Sequence, residues 1–329
     1  MRKARFAGDG VIQLVEGPEL VPGPGEVVVE TAVSAICGSE LHAYRGAAQD
    51  GNGGHEGAGT IAAIGAGVDN LKIGQRVGVS CVAGCGQCAF CARGQYTYCR
   101  SYKFYGTMHA ERFLASAIAC HPLPDDVSWE AGVLMSGDGL GVPYHTYLKT
   151  TSPEIKTVAV SGVGPIGLGN VLVQSHMGRR VIALDLAPYR LELAKRLGAS
   201  DVVNVNEENP AAALRDLTGD VGPDLCIEAS GQPESLLACF AAVRTAGMVV
   251  INGEQGPVPI SPSNQFIRRD ITAVGSWFYH FSEFPQMLNL YRSGLRLLDL
   301  VSHRFSFEDA DAAYKQFASR QSGKVLLQY

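Results

Sequence analysis

No run of Lys or Arg longer than a pair occurs anywhere in the 329-residue chain, and 27 basic against 32 acidic residues leave a formal net charge of -5. A phosphate backbone finds no basic stripe to grip, so nucleic acid is excluded as a partner. No segment approaches the roughly 18 unbroken apolar residues that cross a bilayer, which argues against a membrane partner. The opening stretch "MRKARFAGDGVIQLVEG" starts basic but lacks the apolar core of a signal peptide. These absences set the expectation of a soluble cytoplasmic protein. Internal repeats and low-complexity segments are also missing, and a chain of this length is expected to bury two separate cores.

Two patterns divide the chain. Residues 26–36, "EVVVETAVSAI", are β-branched with partial alternation, and "GTIAAIGAGV" and "GQRVGVSC" follow as short strand-like runs parted by glycine. This half reads as an irregular β domain. From about Lys156 short apolar strands alternate with amphipathic helices: "KTVAV" then "PIGLGNVLVQSHM", "RRVIALD" then "APYRLELAKRLG", "PDLCIEAS" then "PESLLACFAAVRTAG". Such alternation predicts βαβ units feeding a parallel sheet. The tail returns to helices and strands, so a doubly wound domain is expected to be inserted before the end of a β domain.

The stretch "VAVSGVGPIGLG" carries Gly162, Gly164 and Gly167 in a G-x-G-x-x-G pattern, with Pro165 and Ile166 between the last two. It follows a strand and opens a helix. The first glycine permits a tight turn, the second lets backbone approach a pyrophosphate, and the third lets helix pack on strand. Free N–H groups at the helix start attract the anion. Asp185 ends the next strand, "VIALD", 18 residues after Gly167. A carboxylate there accepts hydrogen bonds from both ribose hydroxyls of NAD and repels a 2′-phosphate, so NAD is expected over NADP. Arg190, five residues on, either reaches an adenosine ribose or phosphate or faces solvent.

Nine cysteines are an odd number, and three of them stand at C-x-x-C spacing, which in a reducing compartment points to metal ligation rather than disulfides. Cys85, Cys88, Cys91 and Cys99 follow C-x2-C-x2-C-x7-C. Four thiolates without histidine fit a closed structural zinc; spacing alone leaves open an iron–sulfur cluster. Cys81, Cys120, Cys226 and Cys239 read as core thiols. A second set is dispersed: Cys37, Ser39, Glu40 and His42 in "CGSELH", His55 and Glu56 in "GHEGAG", and Asp138 in "SGDGLG". One thiolate, one imidazole and one carboxylate can make a catalytic zinc triad with an open fourth position, while each taken alone reads equally as a buried cysteine, a core histidine or a turn aspartate.

The order of these motifs resembles the zinc-containing medium-chain alcohol dehydrogenase family, from "CGSELH" through the cysteine loop and "GVGPIG" to the closing "GKVLL", over essentially the full length. The resemblance implies an α/β fold: a GroES-like irregular β catalytic domain plus a Rossmann doubly wound parallel-sheet domain. Residues 1–145 would form the catalytic domain, with the structural-zinc loop at 81–100; residues 146–277 would bind NAD, and 278–329 return to the catalytic domain. It further implies that Cys37, His55 and Asp138 bind the catalytic zinc, with Glu56 a conditional fourth ligand. Ser39 would take the alcohol proton and pass it through the nicotinamide ribose to His42, while Glu40 holds a ligand imidazole in one tautomer. Glu40 departs from the Asp usual in the family, as does the short glycine-rich "YRGAAQDGNGGHE" before His55, which either widens the substrate mouth or holds His55 less firmly.

A carboxylate at Asp138 places the chain nearer the polyol, sugar and threonine dehydrogenases. The implied activity is hydride transfer between NAD and a secondary alcohol of a polyol, sugar or related hydroxylated small molecule. An L-threonine-type 3-hydroxy amino acid dehydrogenase is the alternative, and a non-catalytic nucleotide-binding protein on the same fold is a rival of another class. The resemblance implies a homodimer or homotetramer. The aromatic run Trp277 to Phe281 is expected in an interface or the core in preference to substrate contact.

Overall fold

The β-branched run Glu26–Ala35 forms the longest strand of the structure, a computed structural model that describes residues 1–48 and 53–329. Its first half pairs antiparallel with Arg112–Ser116 and its last residues with Lys324–Gln328, while Gly57–Ile64 runs along it on the other edge. Arg76–Val79 and Cys120–Pro122 extend the sheet on one side, and Val301–Ser306 on the other, to seven strands. Because Cys37 follows the central strand, Glu56 precedes Gly57–Ile64 and Lys324 opens the last strand, three distant stretches of sequence end at one place. A hairpin of Arg2–Gly8 with Val11–Glu16 packs its Ala4, Phe6 and Ile12 against Tyr314 and Phe317 of the helix Ala310–Ala318. The helix Trp129–Ser136 packs against Gly57–Ile64 and Arg76–Val79 and delivers Asp138 two residues past its end. This unit comprises Met1–Gly141 and Phe278–Tyr329.

The second unit, Val142–Trp277, holds six strands, all parallel. In spatial order they are Asp201–Asn204, Arg180–Asp185, Thr157–Ser161, Leu225–Glu228, Met248–Ile251 and Thr272–Gly275. Numbered along the chain this is the order 3-2-1-4-5-6 of a doubly wound dinucleotide fold, with the reversal between Thr157–Ser161 and Leu225–Glu228. Strand residues such as Val158, Ala159 and Val160 are fully buried, which explains their continuous apolar reading. The crossover helices Pro165–His176, Pro188–Arg196, Pro210–Leu217 and Pro233–Ala242 each start on proline, whose fixed φ and missing N–H suit the first helical turn. Among the described residues, no helix is long and apolar enough to cross a membrane. Part of the glycine-rich stretch before His55, residues 49–52, lies outside the described residues, and with it the expectation of a widened mouth.

Candidate active site

Cys37 Sγ and His55 Nε2 each lie 3.0 Å from Oδ2 of Asp138. With Glu56, they place one donor atom each within 4.8 Å of one another, and all four residues are buried. The donor set fits zinc, being one thiolate, one imidazole and one carboxylate around a shared point. Electrostatics favour a cation there. Burial raises the Cys37 thiol, and the Asp138 carboxylate pushes it further. Burial opposes protonation of His55, yet the negative charge of Cys37, Asp138 and Glu40 outweighs it and raises its pKa well above the usual value.

Around this core stand residues that fix it. Glu40, at the start of the short helix Glu40–Arg45, accepts from the Tyr314 hydroxyl at 2.7 Å and from the Cys37 N–H at 3.2 Å through Oε2, with His109 Nε2 at 3.3 Å. Its Oε1 faces Nδ1 of His55 at 3.2 Å, an ion-pair contact. Burial works against the Glu40 charge, but His109 and His55 overcome it and hold the carboxyl well below its usual range. Glu56 accepts from the Asp138 N–H at 2.9 Å and pairs with Lys324. Ser39 Oγ lies 3.4 Å from Cys37 Sγ, and both Ser39 and His42 are exposed.

The four-cysteine loop is a separate centre. Sγ of Cys91 is 3.5 Å from Sγ of Cys88 and 3.9 Å from that of Cys85, and Cys99 Sγ accepts from the Cys85 N–H at 3.4 Å. None of the nine cysteines is in a disulfide. Thiolates about 2.3 Å from a tetrahedral zinc stand about 3.8 Å apart, which these sulfurs match. A multi-iron cluster interposes iron and sulfide between its cysteines, and four sulfurs within 4.8 Å leave no room for one. Backbone N–H groups of Gln87 and Cys88 lower the Cys85 thiol to about 6, and that of Cys91 lowers Cys88. Two of the four thiols are thus drawn toward the thiolate form, while burial pushes Cys91 up to about 12.

In the second unit the glycine turn has the shape a pyrophosphate needs. Gly162 adopts φ +86° with Ser230 packed where a side chain would project, and a Cβ on Gly167 would collide with the Gly162 carbonyl. Gly164, the N-cap of Pro165–His176, has only the Arg190 guanidinium near its open side, at 3.6 Å, and no side chain caps the helix. Arg190 therefore lies over the turn. Asp185 accepts from Val163 N–H at 2.8 Å and Ala187 N–H at 2.9 Å, tying the turn to the next loop while each oxygen keeps a further lone pair.

Residues 23–125 match the alcohol dehydrogenase GroES-like domain and residues 165–293 the zinc-binding dehydrogenase domain. Sorbitol dehydrogenase of Bacillus subtilis (strain 168) is 30% identical over 308 residues, covering 88% of this chain and 86% of that protein. The chain belongs to the zinc-containing medium-chain alcohol dehydrogenase family. L-Threonine 3-dehydrogenase of Photorhabdus laumondii is 31% identical over 97% of this chain and 96% of its own. An E. coli CFT073 alcohol dehydrogenase, solved with NADH, is 27% identical, with a TM-score of 0.87 over 100% of this chain and 99% of its own. The chain is thus a zinc-dependent, NAD-linked oxidoreductase.

Several residues of this dehydrogenase escaped sequence reasoning. Lys324 was visible only as one charge in "GKVLLQY", a strand otherwise apolar, and a lysine there needs a buried partner. His109 stands in no motif, yet it bonds Ser34 Oγ at 2.7 Å and Glu40. Of the aromatic run, Phe278 and Tyr279 are buried in the core, whereas Trp277 is 41% exposed.

Proposed function

We propose that Cys37, His55 and Asp138 hold the catalytic zinc of an enzyme that transfers hydride between NAD and a secondary alcohol of a polyol, sugar or related hydroxylated small molecule. The convergence of these three side chains on one buried point carries the reading. Asp138 in the third position and the likeness to a sorbitol dehydrogenase support the polyol class. Zinc supplies Lewis acidity that eases loss of the alcohol proton, and NAD supplies the hydride acceptor.

The chain's own groups do the rest. Ser39 Oγ, exposed beside Cys37, takes up the alcohol proton as it releases its own. His42, three residues on and so on the same helix face, exchanges that proton with solvent. Glu40 opposite Nδ1 of His55 favours the Nδ1–H tautomer and leaves the Nε2 lone pair for the metal. Glu56 serves as fourth ligand only by leaving Lys324. The Gly162–Gly167 turn, with Pro165 and Ile166, receives the pyrophosphate, Asp185 the adenosine ribose, and Arg190 the phosphate side. Cys85, Cys88, Cys91 and Cys99 hold a structural zinc. The same proposal takes 1–145 with 278–329 as catalytic domain, 146–277 as NAD domain, a homodimer or homotetramer, and a cytoplasmic location.

A second reading, oxidation of a 3-hydroxy amino acid, is supported by the likeness to L-threonine 3-dehydrogenase. Metal content per chain in wild type and Cys37→Ala tests the site, and NADH formation with polyols against L-threonine separates the substrates. Two zinc ions falling to one with polyol-dependent NADH formation is expected. One ion in both proteins sinks the catalytic site, and activity confined to L-threonine moves the assignment to the second reading.

A further inference from the structure

The chain leaves its first unit after Gly141 and re-enters it at Phe278. Tyr279, the second residue after re-entry, is 1% exposed, and its hydroxyl donates to the carbonyl oxygen of Ser136 at 2.8 Å. Ser136 ends the helix Trp129–Ser136, where carbonyls have lost their helical partners, and the chain turns extended at Gly137 to reach Asp138. The backbone on the two sides of Gly137 is therefore held by two long-range bonds. Tyr279 takes the Ser136 carbonyl from one side, and Glu56 takes the Asp138 N–H from the other. Gly141 has no room for a Cβ beside the Tyr279 ring, so the ring is wedged against the segment that follows Asp138.

The phenol is itself held. His121 Nε2 stands 3.0 Å from the Tyr279 oxygen. A phenol has one proton, which goes to Ser136, so the His121 Nε2–H is the donor. The His121 ring is sandwiched between Phe281, with centroids 4.0 Å apart and planes 15° apart, and Phe284, at 4.1 Å and 10°. Burial lowers its pKa to about 3, so it stays neutral and keeps that donor. Phe281 in turn stacks on Tyr96 of the cysteine loop at 5.1 Å, and His280 Nδ1 meets Thr97 Oγ1 at 2.9 Å. Tyr279 thus stands between the cysteine loop and the metal-site carboxylate.

We propose that Tyr279 is a positioning residue for Asp138, its hydroxyl holding the Ser136 carbonyl so that the carboxylate meets Cys37 and His55. This rests on the reading of Cys37, His55 and Asp138 as ligands of one ion. Asp138 lies past the end of its helix with glycine on both sides, and besides the Tyr279 bond its segment is held by Glu56 on the Asp138 N–H and by the Leu140 and Gly141 N–H groups donating to the Leu134 and Gly137 carbonyls. A phenylalanine in place of Tyr279 keeps the ring and deletes both bonds of the hydroxyl, the one to the Ser136 carbonyl and the one from His121.

The test is release of metal to a chelator from zinc-loaded protein, with cobalt-substituted protein examined by visible absorption. Tyr279→Phe is expected to release one of the two ions about tenfold faster and to alter the cobalt ligand-field bands, with the cysteine-loop ion retained. Phe281→Leu, which loosens the stack but keeps the hydroxyl, should lower Tm and leave release within about twofold of wild type, the lesser effect of lost packing alone. If Tyr279→Phe fails to fold, His121→Leu, which removes the donor that orients the phenol but leaves its bond to Ser136, is expected to speed release of the same ion by less than about tenfold and by more than Phe281→Leu does. Wild-type release from Tyr279→Phe, or equal acceleration by Phe281→Leu, overturns the proposal with the ligand reading intact. A wild type holding a single ion overturns both.

Discussion

Lys324 pairs with Glu56 across 268 residues of sequence, and the two are 1% and 0% exposed. Burial pushes the Glu56 carboxyl up to about 7 against the pull of Lys324, while Glu56, Cys37 and Asp138 overcome burial to keep Lys324 protonated. Removing one partner of a buried pair strands the other, at a cost of about 3–5 kcal/mol. Lys324→Met should therefore destabilise the β unit by about that amount, and denaturant unfolding measures it. Glu56→Gln combined with Lys324→Met should recover most of the loss. A double variant no better than Lys324→Met would show that the lysine matters for something other than Glu56.

The neutral His121 makes stability depend on pH in a defined direction. Its pKa is about 3 in the folded chain against about 6.5 when unfolded, so between those values only the unfolded chain binds the proton. Stability then rises with pH through this window and is complete above it. From pH 7 to pH 5 wild type should lose about 2 kcal/mol more than His121→Phe, which retains the stack and cannot titrate. Urea unfolding of both proteins at the two pH values provides the comparison, and parallel losses would contradict the folded-state assignment.

What was legible in the sequence had local causes. The cysteine loop is a spacing, the glycine turn is a strand, a motif and a helix in succession, and the parallel sheet shows as short apolar runs such as Thr157–Ser161 between helices that open on proline. The six donor-bearing residues Cys37, Ser39, Glu40, His55, Glu56 and Asp138 were named because each sits in a short quotable motif. Their supports were not, because they arrive from far away: Tyr314 reaches Glu40 across 274 residues and Tyr279 reaches Ser136 across 143. The aromatic run was ambiguous for the same reason. Nothing local distinguishes Trp277, which is exposed, from Tyr279, which the helix before Asp138 and His121 draw into the core.

Asp185, which we propose receives the ribose of NAD, also shapes the turn, since its Oδ2 accepts from Val163 N–H at 2.8 Å. A hydrogen bond to a carboxylate contributes about 1.5–3 kcal/mol, or about one to two powers of ten in binding. Asp185→Ser should raise KM for NAD by about tenfold or more and, with the negative charge gone, narrow the preference over NADP. Initial rates with both cofactors decide it. An unchanged cofactor ratio would leave Asp185 with its structural task alone.

Ser39 offers the cleanest separation of chemistry from assembly. Its hydroxyl is 3.4 Å from the Cys37 sulfur, it caps no backbone N–H of the helix Glu40–Arg45, and it is exposed, so the fold loses little without it. If its Oγ takes the alcohol proton, Ser39→Ala should lower kcat by about a hundredfold or more with both zinc ions and Tm retained. Ser39→Thr keeps the hydroxyl and should restore most of the rate. The same loss in His42→Ala at neutral pH, reversed by added imidazole, would place the two in one relay. A kcat in Ser39→Ala within about threefold of wild type would be too small for a general acid–base group and would move the proton's path elsewhere.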